Sequence, residues 1–203
     1  DSLKQNLGNN NDQFTILNLN IQCDRSKFNQ LASMIQHLEE NNIEPCAITL
    51  QETWINPCED VAPYELLNFN LISQGFICGS KGGLFIYLNK KFNFIRRDLY
   101  TPSNCYEALY IDVKGGGLKR MLTLGNVYRP PRDNNNNNSI RNFLTPFAPT
   151  IYKLSREKSD TIICGDFNID LIKIHERELY SEFLDLFLSN SFLPKITLPT
   201  RFS

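Results

Sequence analysis

The chain has 203 residues, of which 41% are hydrophobic and 11% aromatic, and its formal net charge is −1 at pH 7. This apolar content is enough for a substantial core and excludes global disorder. The near-zero charge excludes a strongly basic protein that coats nucleic acid, but not an enzyme that meets DNA through a local patch. No apolar run approaches the roughly 20 residues of a membrane-spanning helix, so we expect no membrane association.

Residues 1–12 form a polar N-terminal segment that is too polar for a signal peptide. The remainder, residues 13–203, shows no repeat and no linker, and we predict one mixed α/β domain. The chain begins with Asp1 rather than Met, which indicates a piece of a longer protein.

The cysteines are predicted to be reduced. Cys46 and Cys164 lie in apolar runs, and we expect both to be buried thiols in neighbouring strands of a sheet. A disulfide framework is the weaker alternative, because a chain of this size can build a core without crosslinks. With only His37 and His175 available, no zinc site is predicted. The cysteines stand without a C-x-x-C pair, at Cys23, Cys46, Cys58, Cys78, Cys105 and Cys164.

The first part of the chain predicts a strand–helix–strand unit. An apolar strand over residues 14–20 is followed by Ser26 as a candidate N-cap, and Asn41 and Asn42 end the helix. Residues 46–50 predict a second buried strand, so the unit is a crossover with its functional end at the carboxyl edge. The apolar positions of the helix recur at helical spacing, at Phe28, Leu31, Met34, Ile35 and Leu38.

The middle and last parts predict more strands and two helical segments. The Lys114–Gly117 turn predicts a hairpin, and the asparagine-rich residues 133–138 predict a polar, mobile loop. Residues 140–154 predict a helix interrupted by Pro146 and Pro149. An amphipathic helix follows around Leu179, Phe183, Leu186 and Phe187, and Pro194 and Pro199 mark an irregular tail. Strands are predicted over residues 69–73, 83–88, 92–97, 106–113, 118–127 and 161–164.

The clearest chemical signal follows the last predicted strand. If strand geometry continues, Asp166 and Asn168 project to the same side, because side chains alternate along a strand. A carboxylate beside an amide at a buried strand end can bind a metal or activate water. The alternative is an Asx turn, which is common at strand ends.

Polar motifs follow several predicted strands in order. With these motifs the chain resembles the endonuclease/exonuclease/phosphatase superfamily, and more narrowly the endonuclease domain that precedes the reverse transcriptase in non-LTR retrotransposons, related to apurinic/apyrimidinic endonucleases. The resemblance implies a four-layer α/β sandwich of two mixed sheets flanked by helices, as in DNase I. The motifs are Asn20, Gln51-Glu52-Thr53, Asn126-Val127-Tyr128-Arg129-Pro130, Gly165-Asp166-Phe167-Asn168 and Pro199-Thr200-Arg201-Phe202-Ser203.

The resemblance also implies roles. Glu52 would ligate Mg²⁺, or alternatively Mn²⁺, and Asn20 would assist through a metal-bound water or the phosphate. Asp166 would position or deprotonate the attacking water, while Asn168 orients it and Tyr128 donates its hydroxyl to the scissile phosphate. From these roles we expect the Glu52 and Asp166 carboxylates on adjacent strand ends, facing one cleft.

Three further residues are candidate DNA contacts. The resemblance implies that Arg129 and Arg201 contact the DNA backbone and that Thr200 contacts the phosphate or braces the site. The alternatives are a solvated acid for Glu52, a packed aromatic for Tyr128 and solvated surface for the arginines.

The chain also departs from the pattern. Relatives end on a further Asp and a Ser-Asp-His motif, which has no counterpart before Ser203, and Gln22 stands where many carry Asn or Asp. We therefore expect a domain without its last strands, which alone binds Mg²⁺ weakly and nicks DNA poorly.

The function expected from the resemblance is Mg²⁺-dependent nicking of DNA that primes reverse transcription. The expected partners are DNA and a reverse-transcriptase domain in the parent chain, in an intracellular and, on chromosomal DNA, nuclear setting. One alternative is a superfamily phosphatase acting on a phosphorylated lipid or nucleotide. Another is a degenerate domain that only binds nucleic acid.

Overall fold

The computed structural model describes residues 14–23, 25–77, 81–99, 105–131, 140–171 and 178–196. The asparagine-rich loop, Cys78, His175, Thr200 and Arg201 lie outside these ranges, and what is predicted for them stays a prediction. The described strands are β1 (Ile16–Asn20), β2 (Ala47–Gln51), β3 (Phe69–Gln74), β4 (Leu84–Asn89), β5 (Phe92–Arg97), β6 (Glu107–Gly115), β7 (Leu122–Tyr128) and β8 (Asp160–Asp166). The helices are α1 (Arg25–Glu40), a 3₁₀ turn (Ala62–Tyr64), α2 (Ile140–Ser155) and α3 (Glu178–Leu188).

Two mixed sheets of four strands form the centre of the molecule. The first has the order β1-β2-β4-β3 and the second β5-β6-β7-β8. The β1–β2 and β7–β8 pairs are parallel, and the other neighbours are antiparallel. Parallel pairing brings the carboxyl ends of β1 and β2 together at one edge, and likewise those of β7 and β8.

The layers follow from where the apolar side chains point. Strand residues of both sheets, among them Ile86 and Ile111, share one buried cluster between the sheets. The other face of the first sheet packs on α1 through Phe28, and that of the second packs on α2 and α3 through Phe143. The predicted four-layer α/β sandwich of two mixed sheets is confirmed.

The helices differ from their predictions in two places. Helix α1 begins at Arg25, so Ser26 lies in its first turn and is not the N-cap. Helix α2 runs without interruption through Pro146 and Pro149. Each proline removes a backbone donor, but Phe143, Phe147 and the later apolar positions of the same face are buried. Packing of an apolar face supplies most helical stability, which explains why the helix continues. None of the described helices is long and apolar enough to cross a membrane.

The strands agree with the prediction apart from their bounds. The hairpin at Lys114–Gly117 is present, but its second strand begins at Leu122 rather than at Leu118. Leu118 instead belongs to the turn, where its N–H donates to the carbonyl of Gly115.

The cysteine prediction is partly confirmed. Cys46 is buried and Cys164 partly buried, and neither of them, nor any other described cysteine, forms a disulfide. Withdrawal from water raises the pKa of the Cys164 thiol to about 11. They do not occupy neighbouring strands of one sheet, however, because Cys46 immediately precedes β2 and Cys164 lies in β8 of the other sheet.

Candidate active site

One amide joins the two predicted carboxylates. The Nδ2 of Asn20 donates to Oε1 of Glu52 at 2.7 Å and to Oδ2 of Asp166 at 2.8 Å. Glu52 follows β2 and Asp166 ends β8, so the expected convergence of the two side chains is confirmed. The strands are not neighbours in one sheet, and the carboxylates instead meet across the sandwich.

The other end of the Asn20 amide is unsatisfied. Because both neighbours of Nδ2 are carboxylate acceptors, the orientation of the amide is fixed. Its Oδ1 is buried and has no hydrogen-bond partner among the described residues. A buried acceptor without a partner costs about 1–3 kcal/mol, so a water or cation is expected to bind there.

Glu52 is placed by an unusual backbone conformation. Its φ is 55°, in the left-handed region that non-glycine residues rarely adopt. Its carbonyl accepts a hydrogen bond from the N–H of Cys23 at 2.9 Å. Glu52 is only 8% exposed, so the alternative interpretation of this residue as a solvated acid is wrong.

Asp166 sits at the start of a tight turn. A β-carbon on Gly165 would lie 1.9 Å from the carbonyl oxygen of Val127, so only glycine allows β8 to approach β7 here. The Oδ1 of Asp166 accepts the N–H of Asn168 at 3.0 Å. The Asx turn considered as an alternative is therefore present, and it coexists with the cluster because Asn20 uses the other oxygen.

Asn168 departs from the predicted strand geometry. It has φ 49°, beyond the end of β8, so the alternation expected to align it with Asp166 does not apply. Its Nδ2 donates to the carbonyl of Arg129 at 2.8 Å. The side chain fixes the turn in this structure, and its predicted action on the water stays a prediction.

Arg129 is a correction to the sequence analysis. It is 3% exposed, and its guanidinium donates from Nε to the carbonyl of Phe167 at 2.8 Å and from Nη2 to that of Asn168 at 3.1 Å. Its backbone N–H also donates to the carbonyl of Asp166 at 2.9 Å. Burial lowers the pKa of the guanidinium, against the opposing effects of Tyr180 and Asp166. Buried and bonded in this way, Arg129 holds the turn that follows Asp166, which argues against the predicted contact of its guanidinium with the DNA backbone.

Tyr128 lies between acidic groups. It is buried at the end of β7, where it pairs with Asp166 of β8 and Glu107 of β6. Burial raises the pKa of the Tyr128 hydroxyl, and the charge of Glu52, its hydrogen bond with Glu52 and the charges of Asp166 and Glu107 raise it further. The hydroxyl therefore stays protonated at neutral pH and can donate a hydrogen bond.

Glu107 is a site-forming residue that the sequence analysis missed. It is fully buried, and its Oε2 accepts the N–H of Gly83 at 2.6 Å while Oε1 accepts that of Ile77 at 2.8 Å. A β-carbon on Gly82 would lie 2.2 Å from Oε1. The available signal was an acid at the start of an otherwise apolar strand, because a buried charge needs partners.

A second polar connection joins the sheets below the carboxylates. The Nε2 of Gln51 donates to Oδ1 of Asn126 at 2.6 Å and to Oδ1 of Asn18 at 2.9 Å. The Nδ2 of Asn126 donates to the carbonyls of Leu50 and Phe85. Two residues of the strand-end motifs thus fix the distance between the sheets beneath the site.

The donor atoms fit a hard divalent cation. Glu52 and Oδ1 of Asn20 would supply oxygen ligands, and Mg²⁺ is usually bound by one or two carboxylates while it keeps several waters. Within the described ranges no three His, Cys, Asp or Glu side chains gather as in an all-protein metal cage. Glu52 and Asn20 would leave most coordination positions of such a cation to water.

Similarity to known proteins is found at the level of structure. No family model matches the chain, and no curated protein matches it. An AP endonuclease from Leishmania major has a TM-score of 0.62 at 14% identity, over 86% of this chain and 66% of its own. A mannosyl-6-phosphatase from Bacteroides thetaiotaomicron has a TM-score of 0.59 at 16% identity, over 87% and 70%.

A third similar structure is the human Nocturnin catalytic domain with bound sulfate, at a TM-score of 0.53 and 14% identity, over 89% of this chain and 75% of its own. These structures are members of the endonuclease/exonuclease/phosphatase superfamily. At this level of identity the likeness shows the fold, and the chain has the DNase I-like sandwich that these proteins share.

Proposed function

We propose that this chain is a Mg²⁺-dependent phosphodiesterase that nicks DNA, as the endonuclease domain of a retrotransposon polyprotein upstream of a reverse transcriptase. One observation carries the hydrolytic part. The Asn20 amide holds the carboxylates of Glu52 and Asp166 together and leaves its own buried oxygen without a partner in the described part of the chain. The choice of DNA and of a retrotransposon rests on the sequence resemblance.

The residues divide the work of hydrolysis. Both Asp166 oxygens are oriented by donors, Asn20 and the N–H of Asn168, and each retains acceptor capacity for the attacking water. Asp166 takes the proton of that water as general base. The protonated Tyr128 hydroxyl, which hydrogen-bonds Glu52 in this structure, would turn to donate to an oxygen of the scissile phosphate, where negative charge develops. Arg129 keeps the turn in place behind Asp166.

Glu52 and Oδ1 of Asn20 would hold the cation. When bound, Mg²⁺ or Mn²⁺ supplies positive charge that offsets the charge developing on the phosphoryl oxygens. Because Glu52 is only 8% exposed, its attraction to a cation is stronger than the same interaction would be in bulk water.

Plasmid nicking tests the proposal. We expect the unsubstituted chain to convert supercoiled DNA to the open-circular form, slowly, in Mg²⁺ and not in EDTA. We expect Glu52→Gln and Asp166→Asn to lower the rate by about 10²–10³-fold, as expected for loss of a group acting on the transition state. A second readout is Mn²⁺ affinity by electron paramagnetic resonance, which Glu52→Gln should weaken.

The matched control is Glu44→Gln. Glu44 precedes β2 at the opposite end of the strand from Glu52, and its side chain is 64% exposed. This variant should nick like the parent. Equal nicking by the parent and Glu52→Gln, with both folded by circular dichroism, would refute the assigned site.

The same proteins distinguish the two alternatives. Release of phosphate from a nucleoside monophosphate or an inositol phosphate, without nicking, would replace the nuclease by a phosphatase. Saturable DNA binding without hydrolysis of any substrate would leave a non-catalytic binding domain.

A further inference from the structure

The segment that carries Glu52 contains one exposed residue. From Gln51 to Ile55 every residue is buried except Trp54, which is 37% exposed. It is the only tryptophan of the chain. A large aromatic side chain is normally withdrawn from water, so one held at the surface two residues after Glu52 calls for an explanation.

The backbone of Trp54 is also unfavourable. Its φ is 53°, in the left-handed region, where a bulky residue is a genuine outlier. Such conformations persist only when the surroundings impose them, and they concentrate at ligand-binding and catalytic positions.

The surroundings that impose it are buried and polar. The N–H of Trp54 donates to the carbonyl of Gly82 at 2.8 Å, and that of Thr53 to the carbonyl of Gly83 at 3.2 Å. Gly83 is in turn held by the Glu107 carboxylate, and a β-carbon on it would lie 2.4 Å from Oγ1 of Thr53. An unbroken series of hydrogen bonds therefore runs from a fully buried carboxylate to the backbone of Trp54.

We propose that Trp54 is a stacking platform for an unstacked nucleobase next to the scissile phosphate; this deepens the proposed function and rests on it. Aromatic faces bind bases through stacking that tolerates any sequence. A base inside an intact duplex offers no free face, so the platform favours DNA that is locally unpaired or easily unstacked. The fixed backbone lowers the entropy lost when the ring is immobilised on binding.

The single tryptophan is its own reporter. Intrinsic fluorescence is followed while the chain is titrated, in EDTA to prevent cleavage, with a duplex containing a central mismatch bubble and with the perfect duplex. We expect saturable quenching by the bubble DNA at lower concentrations than by the duplex. Anisotropy of labelled DNA then gives the affinities of variants that have no tryptophan.

Three variants complete the test. Trp54→Ala should weaken binding of the bubble DNA roughly ten-fold, the value expected for loss of one stacked base, and leave duplex binding unchanged. Trp54→Phe keeps an aromatic face and should retain most of the affinity. Phe94→Ala is the matched control, since Phe94 has the same 37% exposure in the edge strand β5.

The outcomes separate the two proposals. No quenching together with equal affinity of Trp54→Ala and the parent for bubble DNA overturns the platform, even if nicking depends on Glu52. A selective loss in Trp54→Ala but not in Phe94→Ala supports the platform, even if no variant nicks DNA. If Trp54→Ala does not fold, equal affinities of Trp54→Phe and the parent without quenching of the parent overturn it.

Discussion

The two carboxylates of the site are positioned by opposite kinds of buried group. Behind Asp166, the cation of Arg129 donates to backbone carbonyls of the turn that follows. Behind Glu52, the anion of Glu107 accepts backbone N–H groups, and the glycines it holds bind the Glu52 segment. Each carboxylate is thus supported by a buried ion that pairs with backbone dipoles, a cation behind Asp166 and an anion behind Glu52.

Because Arg129 and Glu107 carry opposite charges, substitutions at the two residues should have different effects. Removing Arg129 leaves carbonyls without donors and takes a positive charge away from beside Asp166. Removing the charge of Glu107 leaves N–H groups without their charged acceptor, yet it also removes one of the negative charges that raise the pKa of Tyr128. Loss of Arg129 should therefore reduce both the stability of the fold and the positive charge near Asp166. Loss of the Glu107 charge should also reduce stability, but it lowers the negative charge near Tyr128.

Among the groups that support the two carboxylates, the largest effect is expected at Arg129. Arg129→Ala should lower the free energy of unfolding by about 3 kcal/mol, because several buried carbonyls lose a charged donor at about 1–3 kcal/mol each. Nicking should fall by about 10²-fold as the Asp166 turn loosens. Urea unfolding and the plasmid assay measure the two quantities. Millimolar guanidinium should partly restore nicking by filling the vacated position.

Arg96 provides the control for this prediction. Its guanidinium also donates to a backbone carbonyl, that of Ser73 at 3.0 Å, but the contact is exposed. Arg96→Ala should cost less than about 1 kcal/mol, since exposed interactions are weak. Equal losses in the two variants would contradict the role assigned to burial.

The second effect concerns Glu107. Glu107→Gln keeps the shape but places an amide donor against one backbone N–H, and we expect a loss of about 2 kcal/mol in unfolding free energy. Nicking should fall less than in Arg129→Ala, because a negative charge near Tyr128 has been removed. A larger loss of activity than in Arg129→Ala would refute the comparison of the two residues.

A smaller effect is expected from the link between the two sheets. The hydrogen bond from Gln51 to Asn126 joins the sheets, so Gln51→Ala and Asn126→Ala should be non-additive. A double-mutant cycle by urea unfolding should give a coupling energy of about 1 kcal/mol. Additive losses would show that the sheets are aligned by apolar packing alone.

The smallest effect is expected for the stability of the fold at alkaline pH. The pKa of Tyr128 is raised above its ordinary value of 10.0, so the folded chain keeps a proton that the unfolded chain releases. The contribution of protonated Tyr128 to the stability of the fold is complete below pH 10 and is lost as the pH rises above that value. Tyr128→Phe should therefore reduce the fall in Tm between pH 9 and 11. An unchanged slope would contradict the assignment, and Tyr152→Phe, with Tyr152 48% exposed, is the control.

The strand-end motifs could be recognised in the sequence, but the residues that support them could not. The convergence of Glu52 and Asp166 could be predicted because both follow buried strands. Their placement on adjacent strands was wrong, since β2 and β8 belong to different sheets. Arg129 and Glu107 were misjudged or missed because their partners are backbone groups 24 to 39 residues away. Local preference also misled at Pro146 and Pro149, where packing of one helix face prevails over the loss of two donors.

The division of the strands between the sheets has a consequence for folding. Strands up to Asn89 form one sheet and those from Phe92 the other, so each described sheet comes from a contiguous half of the chain. Asn20 and Asp166, which touch, are 146 residues apart. Contacts of such separation form late, since a large loop must close before they stabilise anything. A ribosome-bound chain that has released only its first half exposes an apolar sheet face, and Asn20 and Glu52 can meet Asp166 only once synthesis has passed β8.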